Sequence, residues 1–296
     1  MNIRECVEIV ATRFDNADLY YGHGTDNAWD EAVYLVLTVA GVAFDDASAA
    51  DQVLDEGARE RIDALTSRRI VERRPMAYLL GEAWFRGLPF HDDERLLIPR
   101  SPIAELIDSR FEPLLPGEPA RILDLCTGSG CIGIATALAF ADARVDLSDI
   151  SADALELAQR NVARHDLQDR VAVVQSDLFE RVSGPYDLII ANPPYVGADE
   201  VADLPPEYQH EPVGALLSDQ DGLAIPLAIL QQAADHLSEQ GVLILELGYS
   251  WPLLAERHPG LPVTWLEFEH GGEGVLAISR HDLVANCPPS GGKVVP

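Results

Sequence analysis

The spacing of apolar positions changes character along the chain. From residue 1 to about residue 80 it is helical. Cys6-Val7-Glu8-Ile9-Val10 and Ala28-Trp29-Asp30-Glu31-Ala32-Val33-Tyr34-Leu35-Val36-Leu37 repeat at the 3.6-residue period. The Gly22-His23-Gly24 turn precedes the second of these, and Thr25, Asp26 or Asn27 can cap it. A third helix, rich in charge and alanine, is predicted over roughly residues 49–72, and Pro75 interrupts the pattern after it. Between Ala83 and Pro99 the pattern predicts a β-hairpin. In it, Trp84-Phe85-Arg86 and Arg95-Leu96-Leu97-Ile98 flank the turn Gly87-Leu88-Pro89 and the acidic run Asp92-Asp93-Glu94. That acidic run reads as a solvated turn. Ser101-Pro102 reads as a helix start, with proline at the first helical position.

From Arg121 onward, short apolar runs alternate with amphipathic segments. Strands are predicted at 122–125, 143–149, 171–174, 186–191 and 242–246, and a terminal pair at 265–268 and 274–278. Helices are predicted over 131–140, 152–165 and 225–237. Seven strands alternating with helices in this way predict an α/β fold: a doubly wound, mostly parallel seven-stranded sheet beside a small helical N-terminal domain. The expected division is a helical domain over 1–80, a linking hairpin over 81–100, the sheet domain over 101–286, and a disordered tail over 287–296, where Pro288-Pro289-Ser290-Gly291-Gly292 stands.

Composition narrows the class. A chain of 296 residues, 47% hydrophobic, suits one large and one small globular unit. It holds no apolar run near the ~18 residues that span a bilayer. Met1-Asn2-Ile3-Arg4-Glu5 lacks the basic and apolar regions of a secretory signal, so a cytoplasmic address is expected. Cys6, Cys126, Cys131 and Cys287 are scattered, which points to neither a zinc site nor a disulfide framework. The net charge is −28, from 21 basic and 49 acidic residues. It would repel a nucleic-acid duplex over most of the surface and suits either salt adaptation or a basic protein partner.

Two loops carry candidate chemistry. Asp124-Leu125-Cys126-Thr127-Gly128-Ser129-Gly130 follows the first buried strand and opens a helix, and Gly133 completes a G-x-G-x-x-G spacing. Asp149 ends the next strand, 19 residues after Gly130. A carboxylate there can accept both ribose hydroxyls of an adenosine, whether from NAD or from S-adenosylmethionine. The other loop is Asn192-Pro193-Pro194-Tyr195, at the end of Leu188-Ile189-Ile190-Ala191. Its two prolines remove two backbone donors and fix φ. The Asn192 side-chain oxygen and the Pro193 carbonyl remain as rigid acceptors, and Tyr195 offers a flat face. Two acceptors in that arrangement can hold both hydrogens of a planar NH₂ group. The loop alone does not say whether that NH₂ belongs to adenine or to an amide.

With these motifs together, the chain resembles the protein glutamine methyltransferase family. Asp124 to Gly130, Asp149 and Asn192 to Tyr195 carry the resemblance, which spans nearly the whole chain. Tyr21-Gly22-His23-Gly24-Thr25-Asp26-Asn27-Ala28-Trp29-Asp30-Glu31-Ala32, Gly81-Glu82-Ala83-Trp84-Phe85 and Glu267-Phe268-Glu269-His270-Gly271-Gly272 look like the branch acting on large-subunit ribosomal protein L-three. Cys126, Arg100-Ser101-Pro102 and Leu178 depart from the release-factor branch. The resemblance implies a class I, Rossmann-like methyltransferase fold with S-adenosyl-L-methionine as cofactor. It implies cofactor contacts at Asp124, Cys126, Thr127, Gly128, Ser129, Gly130, Asp149, Ile150, Asp177, Leu178 and Asn192, with no metal. Catalysis falls to Asn192, Pro193, Pro194 and Tyr195, on a basic ribosomal protein substrate recognised by the helical domain.

The rival readings are glutamine methylation of release factors, adenine-N6 methylation of nucleic acid, a non-catalytic binding protein, and an NAD-dependent oxidoreductase. The adenine reading lacks a basic surface: Arg68-Arg69 and Arg73-Arg74 are the only basic clusters. Trp29 is expected in the core of the small domain. For His23 a docking patch and a capping turn stand level, as do substrate contact and hairpin packing for Trp84 and Phe85. Glu246 is a candidate for lining the active-site cleft.

Overall fold

A computed structural model describes residues 1–286; the expected tail over 287–296 lies outside the described residues. The N-terminal unit is helical. α1 (Ile3–Asp15) and α2 (Ala28–Ala40) are capped by Asn2 and Asn27, whose side chains accept the backbone N–H of Glu5 and Asp30. The third helix, α3 (Glu56–Glu72), starts later than its composition suggests. Ala47–Asp51 forms a separate 3₁₀ turn, and Asp55 caps α3 by accepting from Ala58. α4 (Met76–Leu80) ends at Gly81 in the left-handed region.

The hairpin is shorter than its sequence pattern. β1 (Glu82–Phe85) pairs antiparallel with β2 (Leu88–His91) across Arg86-Gly87. Leu88 and Pro89 therefore belong to the second strand, and Arg95–Ile98 form an irregular strap with no strand. Asp92, expected in a solvated turn, is only 3% exposed. Burial, reinforced by the charges of Asp93 and Glu211, pushes its carboxyl well above the usual range.

After α5 (Ile103–Asp108) the chain enters the main sheet. Its elements are β3 (Arg121–Leu125), α6 (Cys131–Ala139), β4 (Arg144–Asp149), α7 (Ala152–Arg164), β5 (Val171–Gln175), β6 (Tyr186–Ala191), α8 (Ala198–Asp203), α9 (Ala224–His236), β7 (Leu237–Glu246), α10 (Trp251–Arg257), β8 (Thr264–Trp265), β9 (Val275–Ser279) and α11 (Arg280–Asn286). The strand order is β5-β4-β3-β6-β7-β9-β8; β3 to β7 are parallel, and β9 runs antiparallel to both β7 and β8. The central strands are buried on both faces, which is why Leu188-Ile189-Ile190-Ala191 and Val242-Leu243-Ile244-Leu245 read as continuous apolar runs. One apolar cluster fills the face under α6 and α7, the other the face under α9 and α11. Among the described residues no helix is long and apolar enough to cross a membrane.

Candidate active site

β4 lies on one side of β3 and β6 on the other, so the direction of winding reverses between β3 and β6. An open sheet of this kind leaves a crevice beyond the carboxyl ends of its strands at that point. The Asp124–Gly130 loop leaves β3 there, and Asn192-Pro193-Pro194-Tyr195 leaves β6. A cleft of about 410 Å³ opens between them. Cys126, Thr127, Gly128, Ser129, Asp149, Ile150, Asp177, Leu178, Asn192 and Pro194 all line it.

Two residues expected to line this cleft do not. Asp124 points inward: its Oδ2 accepts the Thr127 hydroxyl at 2.5 Å and the Gly133 N–H at 2.9 Å, so it shapes the loop from behind. Burial pushes that carboxyl up to about 7. Gly130 heads α6, and a Cβ there would stand 3.1 Å from the side chains of Ile134 and Leu147. It serves the close packing of α6 against β4.

The cleft suits an adenosine. Asp149 accepts the Gly128 N–H at 3.0 Å through Oδ2 and the Ser151 N–H at 2.9 Å through Oδ1. Each carboxylate oxygen keeps a lone pair for a ribose hydroxyl. Burial raises the pKa of Asp149, and ligand hydroxyls donating to it would favour the ionised form. Ile150 is 64% exposed although it lines a cleft, and Leu178 lines the same cleft; the pair offers apolar surface for a flat base. Gly128, at φ 56°, leaves open space where any side chain would project.

A second cleft, of about 510 Å³, lies beyond Asn192. Asn192, Leu97, Arg100 and Ala215 line both clefts, and Pro193 and Tyr195 line the second. Among the described residues, neither the Asn192 side chain nor the Pro193 carbonyl makes a hydrogen bond within the chain. Two rigid acceptors therefore stand uncommitted where the clefts meet.

The loop is braced behind these acceptors. Tyr195 donates its hydroxyl to Glu246 Oε1 at 3.2 Å, and the Ser250 hydroxyl donates to the Tyr195 carbonyl at 2.7 Å. Tyr195 packs closely on Gly248, where a Cβ would come within 2.5 Å of the ring. Glu246, 4% exposed, lines the second cleft and also accepts the Ser101 hydroxyl at 2.5 Å. Burial raises its carboxyl to about 7, although both hydroxyls oppose that shift.

The segment after the loop is clamped to the helical domain. Glu207, fully buried, accepts the Tyr20 N–H at 3.0 Å and pairs with Arg69 at 3.3 Å and Arg73 at 2.9 Å. Arg69, also buried, reaches Glu31 at 2.6 Å. Glu211 holds Arg100 in a two-point pair at 2.5 and 2.7 Å. Burial would raise Glu211, but Arg100 and nearby His23 outweigh it and hold the carboxyl down to about 2. Arg100 lies over the Tyr208 ring, 5.2 Å from its centroid.

His23 is buried against Tyr208 at 4.4 Å, facing Glu211, so it packs between the N-terminal helices and the segment after the second loop, and Asn27 caps α2 in its place. Trp29 is 50% exposed, which overturns its expected place in the core. Phe85 packs into the core, and Trp84 stands edge-on to Phe44. Sequence reasoning missed Arg100, Ser101, Glu207 and Glu211. They are single charged or polar residues in irregular segments, and no local spacing links 100 with 211 or 69 with 207.

A family model described as methyltransferase small domain matches residues 109–204, which include both loops. A protein of Francisella tularensis subsp. tularensis named ribosomal protein uL3 glutamine methyltransferase is 44% identical over 287 residues, covering 95% of this chain and 91% of its own. A Bordetella pertussis protein of the same name is 44% identical over 288 residues, covering 95% and 96%. Among solved structures, the hMettl16 catalytic domain in complex with a MAT2A 3′UTR hairpin is similar at a TM-score of 0.51, with 19% identity over 76% of this chain and 82% of that one. This last likeness is one of fold.

Proposed function

Because the chain belongs to the ribosomal protein uL3 glutamine methyltransferase family, we propose that it methylates the side-chain amide nitrogen (N5) of one glutamine in ribosomal protein uL3. The observation that carries this reading is the 44% identity over 95% of the chain to proteins named for it, and the uncommitted acceptor pair, Asn192 Oδ1 and the Pro193 carbonyl at the junction of two clefts, supplies the chemistry. The first cleft suits S-adenosyl-L-methionine, which when bound supplies an electrophilic sulfonium methyl. Asp149 anchors the ribose, Ile150 and Leu178 enclose the adenine, and Asp177 stands at the rim of the same cleft for its amino group.

The second cleft takes the glutamine side chain. Asn192 Oδ1 and the Pro193 carbonyl each accept one amide N–H, which turns the nitrogen toward the first cleft. An amide nitrogen is a weak nucleophile because its lone pair is delocalised. Fixing its orientation can supply ~7 kcal/mol or more of the barrier reduction in favourable cases. The same two oxygens stabilise the positive charge that grows on nitrogen during attack. Tyr195, held by Glu246, Ser250 and Gly248, packs on the planar amide. The proton leaves after transfer, when the nitrogen has become acidic, so the loop needs no strong base.

Residues 101–286 form the methyl-transferring unit, 1–80 the unit that recognises the substrate protein, and 81–100 the link between them. A newly made ribosomal protein assigns the reaction to the cytoplasm. The basic clusters offer no phosphate surface, since Arg68 pairs with Glu72, Arg69 with Glu31 and Glu207, Arg73 with Glu207, and Arg74 with Glu94. Asn192→Ala removes orientation and charge stabilisation together. Its kcat should fall by ~10²-fold or more, with the Kd for S-adenosyl-L-methionine changed far less. Near-normal turnover by this variant contradicts the mechanism.

A further inference from the structure

A third cleft, of about 600 Å³, lies where the hairpin meets the helical domain, outside the two clefts of the active site. Tyr34, Phe44 and Trp84 contribute its aromatic wall, and Asp30 and Asp45 stand at its edge. Phe44 is 42% exposed, yet its ring is fixed edge-on to Trp84, 4.8 Å away at 84°, and lies 6.2 Å from Tyr34. An exposed ring held in place by the buried Tyr34 and half-buried Trp84, beside a hollow, marks a contact surface. One polar group there also lacks a partner: Trp84 Nε1 is buried without a hydrogen bond among the described residues.

The chemistry of the cleft selects its occupant. Ring faces are negative and attract ammonium or guanidinium groups within about 6 Å. Among the described residues neither Asp30 nor Asp45 has an Arg or Lys partner, so both charges are available to a cation brought from outside. The chain as a whole carries −28, which favours a basic visitor. The cleft also adjoins the reaction site. Ile98 and Pro99 line both this cleft and the methyl-donor cleft, and His23 lies 3.7 Å from Glu211, the carboxylate that grips Arg100.

We propose that this cleft docks a basic segment of the same protein whose glutamine is methylated. One Lys or Arg side chain of that segment sits among Tyr34, Phe44 and Trp84, with its charge toward Asp30 and Asp45. The inference rests on the proposed protein-glutamine activity. It makes substrate selection a two-point event: the amide enters the second cleft while a distant cation enters this one.

Phe44→Ala and Asp45→Lys test it, because both residues are exposed and neither belongs to the catalytic machinery. With intact uL3 as substrate and S-adenosyl-L-methionine saturating, each variant should raise KM at least tenfold while kcat stays within twofold. Added salt should narrow the gap between Asp45→Lys and the wild type. Melting temperatures within experimental error of the wild type show that the fold is intact. An unchanged KM in both variants, or a fall in kcat at unchanged KM, overturns the docking role while leaving the proposed activity standing. Failure of the wild-type enzyme to methylate uL3 overturns both.

Discussion

Asn192 and Glu246 show two ways in which a side chain earns its place at the site. Asn192 was legible because two prolines after a buried strand leave few other roles for an asparagine, and the structure sets it between two clefts with its amide uncommitted. Glu246 was weighed only for its position at a strand end. Its function as the brace of Tyr195 and Ser101 depends on a residue 145 positions away in sequence, which no local pattern encodes. Asp124 misled for a different reason: it stands in the right motif, but its own neighbours Thr127 and Gly133 turn its carboxylate behind the loop.

The buried Glu246 has a measurable consequence for stability. Its folded pKa of about 7 lies above its ordinary 4.5, so its favourable contribution is complete below pH 4.5 and is lost as the pH rises through 7. The size of that loss is on the order of 3 kcal/mol at most. Denaturant titrations of the wild type and Glu246→Gln at pH 5 and pH 8 should show a smaller drop in the variant. Some drop will remain, because Asp124 is raised to about 7 by the same burial. An equal drop in both proteins contradicts the assignment.

At the scale of elements, the sheet was readable and its surroundings were not. Strands buried on both faces leave unbroken apolar runs, and β3, β4, β5 and β6 fall within a residue or two of the pattern. α10 and the last helix, α11, went unseen because each is short, with seven residues. The hairpin misled through Arg95-Leu96-Leu97-Ile98, where Leu96 and Ile98 are buried without strand pairing and Leu97 lines both clefts. Most informative is the Pro206–His210 turn, whose Glu207 is gripped by α3. Glu207→Ala would leave Arg69, Arg73 and the Tyr20 N–H short of a buried acceptor. Removing one partner of such a buried pair costs about 3–5 kcal/mol. The exposed Glu72→Ala, whose ion pairs are screened by solvent, should cost far less. Comparable losses from the two, read by denaturant unfolding, would show that the clamp does not hold this turn.

For the whole molecule, charge and topology act on different steps. The sheet brings both loops to one crevice, and the segment after the second loop is held by Arg69 of α3 through Glu207 and by Arg100 through Glu211. The net charge of −28 does not select a fold, but it suits the basic substrate protein proposed above. Class of enzyme was legible from the two loops alone. The substrate was not, because adenine and glutamine present the same planar NH₂, and only similarity over the whole length separates them. The central claim is therefore best tested by transfer of labelled methyl from S-adenosyl-L-methionine to three purified acceptors: unmethylated uL3, an unmethylated release factor, and nucleic acid. We expect label in uL3 at one glutamine, located by mass spectrometry, with the release factor and nucleic acid nearly blank. Equal labelling of the release factor, or labelling of nucleic acid without uL3, would contradict it.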